Sequence, residues 1–370
     1  MIRTSRHCRS CLPVPVYSRA AKALAGLVVA LACTATTAVL GHEVATAKAT
    51  HAETRSAVKT ASARIESALA HEPGGTRSGP ATTCPSCVRV ADQVWVISTR
   101  RLGCTTAIDA TPNFAVQQRL TDGSWAPASI SEFIAADDPA IPTCFVMHGN
   151  QVDTALAVAQ GMRAYQALTA SLPADQSLRF VIWSWPSDRI HGILKDVRIK
   201  AVRTTTEGQY LAWTLHQLNP QTPVSVVGFS YGARIATGAL HVLAGGSLNG
   251  FSLPPSQSPR APMRAVLVAP GLHNHWLAEG HYHGRALEIV DEMLLIKNSC
   301  DSALRRYRFV DTSRSAEALG YTGPVGWSSQ YGKIRTVDAC CDLGKAHDWE
   351  LHLASPRYAA LMRQYTWPLP

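Results

Sequence analysis

The stretch Val224-Ser225-Val226-Val227-Gly228-Phe229-Ser230-Tyr231-Gly232-Ala233-Arg234 constrains this chain more than any other. Its apolar, β-branched start reads as a buried strand, and an amphipathic helix is expected from Tyr231 to about Leu243. Only one sharp turn separates the two elements, and the Gly-x-Ser-x-Gly spacing puts Ser230 at its tip. Glycines two residues before and two residues after the serine remove side chains that would collide in such a turn. The hydroxyl is thereby thrust outward, next to a helix N-terminus whose N–H groups and dipole favour developing negative charge.

The rest of the chain has the rhythm that such a turn requires. From about residue 88, short apolar runs alternate with longer amphipathic ones, as in a sheet built from βα units. Strands are expected at 94–98, 115–120, 143–147, 179–183, 224–227, 263–268, 293–296 and 333–337. The last five are unbroken apolar runs, the pattern of parallel strands covered on both faces. Helices are expected near 152–172, 201–218, 231–243 and 356–365. Asp122-Gly123 marks a hairpin turn near the beginning. The expected architecture is α/β: a mostly parallel, twisted sheet of about eight strands with helices on both faces.

A serine is a poor nucleophile without a base, an orienting acid and donors for an oxyanion. In folds with a strand–serine–helix elbow, the acid and the base follow the serine in the chain. Asp301 lies just past the run 293–296, with Asp338 as its rival one strand later. His347 follows the last strand after a short loop, and His352 is the only later histidine. The oxyanion donors are expected to be the backbone N–H groups of Asn150, in the loop after strand 143–147, and Tyr231, directly after the serine.

The order Ser, Asp, His is the signature of the α/β-hydrolase superfamily, and several motifs narrow the likeness. Val94 to Arg100 ends Ser-Thr-Arg, Phe145 to Asn150 carries a His-Gly loop, and Trp185-Pro186-Ser187 closes a strand. Ser230 to Arg234 reads Ser-x-Gly-x-Arg, and Asn298 to Leu304 contains Asp-x-Ala-Leu. Together they resemble a bacterial α/β-hydrolase family of unknown function, over roughly residues 94–362. The resemblance implies an α/β-hydrolase fold with Ser230, Asp301 and His347 as catalytic residues. Two departures stand out: Phe229 occupies a position where that family often has His, and Ala346 one where it usually has Gly. Trp185 and His148 are expected beside the substrate, with a structural brace as the other reading of His148.

Between the sixth and seventh expected strands, His273, His275, His281 and His283 crowd one loop. They match no zinc-hydrolase spacing, so a small His-rich cap loop over the site is expected, with no metal and no cofactor. Cys84-Pro85-Ser86-Cys87 has redox-motif spacing but sits in a polar approach segment, which favours a structural pair. Seven cysteines follow Ala47, an odd number, and their pairing stays open.

The N-terminus reads as a targeting segment. Arg3, Arg6, Arg9, Arg19 and Lys22 precede an apolar run at 23–40, and Ala45-Thr46-Ala47 fits a signal-peptidase site. These five bases account for more than half of the net charge of +9, and no basic, aromatic-interleaved cluster remains to suggest nucleic acid. Residues 1–47 are therefore assigned to a signal peptide or membrane anchor, 48–90 to a polar helical or linker segment, and 91–370 to the hydrolase domain. An exported serine hydrolase acting on a small-molecule acyl ester is expected, with possible membrane attachment through the N-terminal segment. Acyl transfer or peptidase action on the same triad, or a catalytically silent envelope binding protein, are the alternatives.

Overall fold

The computed structural model describes residues 88–103, 108, 111–254, 259–310 and 316–367. Among them run nine strands in one sheet: β1 Gln93–Ser98, β2 Ala115–Arg119, β3 Trp125–Ala128, β4 Thr143–Met147, β5 Arg179–Ser184, β6 Val224–Phe229, β7 Met263–Val268, β8 Glu292–Lys297 and β9 Ile334–Asp338. Their order is β3-β2-β1-β5-β4-β6-β7-β8-β9. The pairs β1–β2 and β2–β3 are antiparallel, and every other neighbouring pair is parallel. The extra strand, β3, is the return arm of the hairpin turned at Gly123, whose φ is +84°.

Helices α1 Ile130–Ala135, α2 Thr154–Thr169, α3 Ile193–Gln217 and α4 Tyr231–Leu243 cover the sheet. They are followed by the short α5 Leu319–Thr322, α6 Cys340–Leu343 and α7 Trp349–Ala354, then α8 Pro356–Thr366. The central strands β4, β5 and β6 are buried along their whole length, which explains their continuous apolar runs. The last strand departs from that expectation. β9 forms an edge with three exposed residues, so it is not covered on both faces.

The two long helices also begin elsewhere than their apolar periodicity suggests. Asp153 caps α2 by accepting from the Leu156 N–H at 2.8 Å, so the helix starts at Thr154. α3 starts eight residues before 201. Its first turns carry Ile193, Leu194 and Lys195 into solvent and show no core-facing stripe that a pattern search could find.

This sheet order, with helices on both faces and a strand–turn–helix at Ser230 beside the middle of the sheet, is an α/β-hydrolase fold. The expected N-terminal segment, most of the linker, Cys84, Cys87 and Cys104 lie outside the described residues. Among the described residues no helix is long and apolar enough to cross a membrane.

Candidate active site

Strand β6 delivers Ser230 into a conformation few residues adopt, φ +53° and ψ −114°. The turn is held from both sides. The Ser230 N–H donates to Val268 O at 2.9 Å, and the Gly271 N–H donates to Ser230 O at 3.0 Å. Sterics explain the flanking glycines. A Cβ on Gly228 would lie 2.4 Å from the Ala233 backbone nitrogen, and one on Gly232 would lie 2.1 Å from Met147 O. No side chain fits at either place, because strand β4 and the first turn of α4 pass directly against the elbow.

Ser230 Oγ lies 2.9 Å from His347 Nε2, and His347 Nδ1 lies 2.6 Å from Asp301 Oδ2. A carboxylate can only accept, so Nδ1 bears the proton and Nε2 is left to accept from the serine hydroxyl. Asp301 is wholly buried, and its other oxygen accepts from the Ala303 and Leu304 N–H groups at 2.8 and 3.0 Å. Its orientation is therefore set by backbone donors as well as by the imidazole.

The loops that carry Asp301 and His347 are tied to each other. Asn298, also fully buried, donates through Nδ2 to Gly344 O at 3.0 Å and Ala346 O at 3.1 Å. The Ser302 N–H reaches Lys345 O at 3.2 Å. A disulfide joins Cys300, beside the acid, to Cys340 at the end of β9, a pairing the cysteine spacing had left open. Phe229 supplies the apolar backing. Its ring sits 5.0 Å from the His347 ring, 5.5 Å from Trp349 and 6.1 Å from His352. An aromatic residue before the serine thus packs against the base.

The rivals are engaged elsewhere. Asp338 is paired with Lys297 and accepts from the Ser299 and Cys340 N–H groups. Burial opposes its ionisation, but these hydrogen bonds outweigh it and hold the carboxyl at about 2. His352 is fully buried, and its Nδ1 donates to Asp348 O at 2.7 Å, one turn back along α7. Burial pushes it below the ordinary histidine range.

The loop after β4 approaches the elbow closely: a Cβ on Gly149 would lie 3.0 Å from the Phe229 ring and 3.3 Å from Ser230 Cβ. Asn150 follows, and Gln151 sits at φ +60°. Both of their side-chain amides donate to Asp196 Oδ2, at 2.8 and 3.1 Å, while Asp196 Oδ1 accepts from the Ile190 N–H at 2.9 Å. Asp196 is wholly buried in the first turn of α3. Nothing local in the sequence marks it, since a single acid near a helix start is ordinary. The second expected donor residue, Tyr231, opens α4, where the first N–H groups point off the helix end. Its hydroxyl donates to Val197 O at 3.0 Å, pinning α3 to the elbow.

A cavity of about 450 Å³ opens over Ser230. Asn150, Tyr231 and His347 border it, and Leu156, Val197, Leu304 and Val310 furnish apolar walls. Trp185 and His148 do not line it, contrary to the expectation of substrate contact. The Trp185 N–H donates to His148 Nε2 at 3.3 Å, Trp185 Nε1 donates to His148 O at 2.9 Å, and the two rings stack at 5.6 Å. His148 Nδ1 in turn faces Gly149 O at 2.9 Å. Burial pushes its pKa down to about 3, so it stays neutral. The pair is a brace beneath the Gly149 loop.

The His-rich loop is corrected in the same way. None of its four histidines lines the cavity. His283 is buried against α4, with Nδ1 2.9 Å from Thr237 Oγ1, and Trp276 stacks under the Arg234 guanidinium at 4.4 Å. The loop is thus packing for the elbow helix and does not cap the site. Among the described residues no group of three or more His, Cys, Asp or Glu side chains could hold a metal ion.

No protein-family model matches the chain, and no curated protein matches it by sequence. Solved structures resemble it at a distance. A cutinase-like protein from Cryptococcus sp. is 15% identical with a TM-score of 0.31, covering 61% of this chain and 92% of that one. The catalytic core of an acetyl xylan esterase from Trichoderma reesei is 15% identical with a TM-score of 0.34, covering 61% and 97%. An esterase B from Lactobacillus rhamnosis is 12% identical with a TM-score of 0.34, covering 86% and 96%. Likenesses this distant do not speak to substrate, and the hydrolase-type fold rests on the chain's own strand order and elbow.

Proposed function

We propose that this protein is a serine hydrolase that cleaves carboxylic esters through an acyl-enzyme. One observation carries the reading: a serine at a strained elbow, an imidazole 2.9 Å from its hydroxyl that borders the same cavity, and a buried carboxylate 2.6 Å behind that imidazole. Each contact has the direction the chemistry needs. Ser230 Oγ attacks the ester carbonyl carbon while His347 Nε2 takes its proton, and Asp301 holds the imidazolium that forms. The carbonyl oxygen becomes an oxyanion facing the Asn150 and Tyr231 N–H groups. Collapse breaks the bond to the alcohol, which leaves with the proton from His347. Water then attacks the acyl-enzyme, gives a proton to His347, and releases the acid as that proton returns to Ser230.

The motifs of the His-Gly loop, the Trp-Pro-Ser strand end and the Asp-x-Ala-Leu segment support grouping the chain with the bacterial hydrolases they resemble. The Cys300–Cys340 disulfide supports an oxidising compartment, in keeping with an exported protein. A fluorophosphonate probe is expected to label Ser230, and Ser230→Ala to lose labelling and roughly 10⁴-fold or more in rate on an activated ester. A Ser230→Ala protein with undiminished turnover would sink the reading.

A further inference from the structure

Two segments that wall the cavity present an unusual outer face. In 189–198, which leads into the first turns of α3 and contributes Val197 to the cavity, residues 191–195 are all exposed. Ile193 is 71% and Leu194 52% exposed. In the 3-10 turn Leu304–Phe309, Leu304 and Tyr307 face the cavity while Phe309 is 51% exposed. The two segments meet: Arg198 Nη2 donates to Phe309 O at 3.2 Å. On the opposite wall Leu156, 38% exposed, reaches the same mouth.

The charge on these segments has one sign. Arg189, Lys195, Arg198, Arg305, Arg306 and Arg308 are all exposed, and the Arg308 guanidinium lies 5.1 Å from the Phe309 ring centre. Of the carboxylates among the described residues of and next to these segments, Asp196 and Asp301 are wholly buried in the site, and the exposed Asp348 borders the cavity from the N-cap of α7. The nearest exposed one in sequence, Asp188, is paired with Arg100 at 2.6 Å. Large apolar side chains held in water are costly, and exposed apolar residues interspersed with bases match a surface that is apolar inside and anionic outside.

We infer that the outer face of these two cavity-walling segments, with Ile193, Leu194 and Phe309 interspersed among arginines and a lysine, docks on an anionic lipid surface. Apolar side chains enter the acyl boundary while the bases meet lipid phosphates, and the opening over Ser230 faces the membrane. Ester substrates would then be acyl lipids drawn from that surface into the apolar cavity. This use of the surface rests on the hydrolase reading, whereas the docking itself does not.

Hydrogen–deuterium exchange on the full-length Ser230→Ala chain tests the docking without lipid turnover. Vesicles of mixed phosphatidylglycerol and phosphatidylcholine are expected to slow exchange in 189–198 and 303–310 by ~10-fold or more. Pure phosphatidylcholine should protect far less, and high salt should reverse the anionic effect. The site-resolved readout separates this mouth from any binding by the N-terminal segment. Arg305→Gln/Arg306→Gln/Arg308→Gln should weaken that protection by ~100-fold in lipid concentration. Ile193→Ser/Leu194→Ser/Phe309→Ser should weaken it by at least ~10-fold. Unprotected segments on vesicle-bound protein, or protection independent of lipid charge, would overturn the inference. Equal protection by soluble polyglutamate would overturn it in favour of an acidic polymer partner. Should either further variant misfold, the lipid and salt comparison on the Ser230→Ala chain still decides. Failure of a fluorophosphonate to label Ser230 in the wild-type chain, with protection of the Ser230→Ala chain intact, would remove the hydrolase reading and leave the docking standing.

Discussion

The nucleophile half and the acid–base half of the site reach similar accuracy by different physics. Ser230 is shaped first by its neighbours in sequence, and Val268 O and the Gly271 N–H then hold the turn from outside. A buried strand, two glycines and a helix start fix its backbone, and any added methyl at Gly232 meets β4 at once. Asp301 and His347 are 46 residues apart and lie on loops beyond two different strands. They are held by long-range ties: the Asn298 amide, the Cys300–Cys340 disulfide and the Phe229 ring. A backbone turn in a packed core stores its geometry locally, whereas loops on an exposed sheet edge need cross-links to lose their freedom.

That contrast can be broken most directly at its centre. Asp301→Asn should lower kcat on an activated ester by about 10⁴-fold, because the imidazole loses its orienting acceptor. A loss below tenfold would show that backbone alone positions the base. Gly232→Ala should destabilise by about 3 kcal/mol or prevent folding, since the obstructing atoms are backbone and cannot rotate away. Urea unfolding measures it, and an unchanged midpoint would deny the elbow its local rigidity. Cys300→Ser with Cys340→Ser should cost about 3 kcal/mol through the freed loop, with activity falling less than for Asp301→Asn.

The brace under the nucleophile half gives a pH test. His148, held at about 3 by burial, stays neutral in the fold, while the unfolded chain takes up that proton below about pH 6.5. Its contribution is therefore complete above that pH and lost as the pH falls toward 3, at about 1.4 kcal/mol per pH unit. His148→Gln should flatten the acid limb of a stability–pH curve, and an unaltered slope would refute the assignment. The smallest effect is expected at Asn298→Ala. Freeing Gly344 O and Ala346 O should lower kcat by about tenfold with KM nearly constant, because the base loop shifts while the cavity stays.

The legibility of the sequence follows the same division. Apolar runs show β4 through β8 because both faces of those strands are buried, and β9 misleads because an edge strand needs no such pattern. The start of α3 was hidden by its exposed first turns, the part that carries Ile193 and Leu194 in solvent. Trp185 and His148 were expected beside the substrate, with a brace as the other reading of His148, and the structure places both off the cavity lining, His148 in that brace. Proximity in sequence to a strand end says nothing about which side of a loop a ring occupies, and here the two stack beneath it.

Sequence alone determined the elbow and marked most of the parallel strands, because a tight turn and an unbroken apolar run are patterns among residues a few positions apart, whereas the pairing of those strands joins distant segments such as Thr143 and Val224. Which carboxylate and which histidine face the serine was decided by tertiary structure alone. Asp338 and His352 have much the same local context as Asp301 and His347, and only long-range packing turns one pair toward Ser230 while committing the other to Lys297 and to a helix carbonyl.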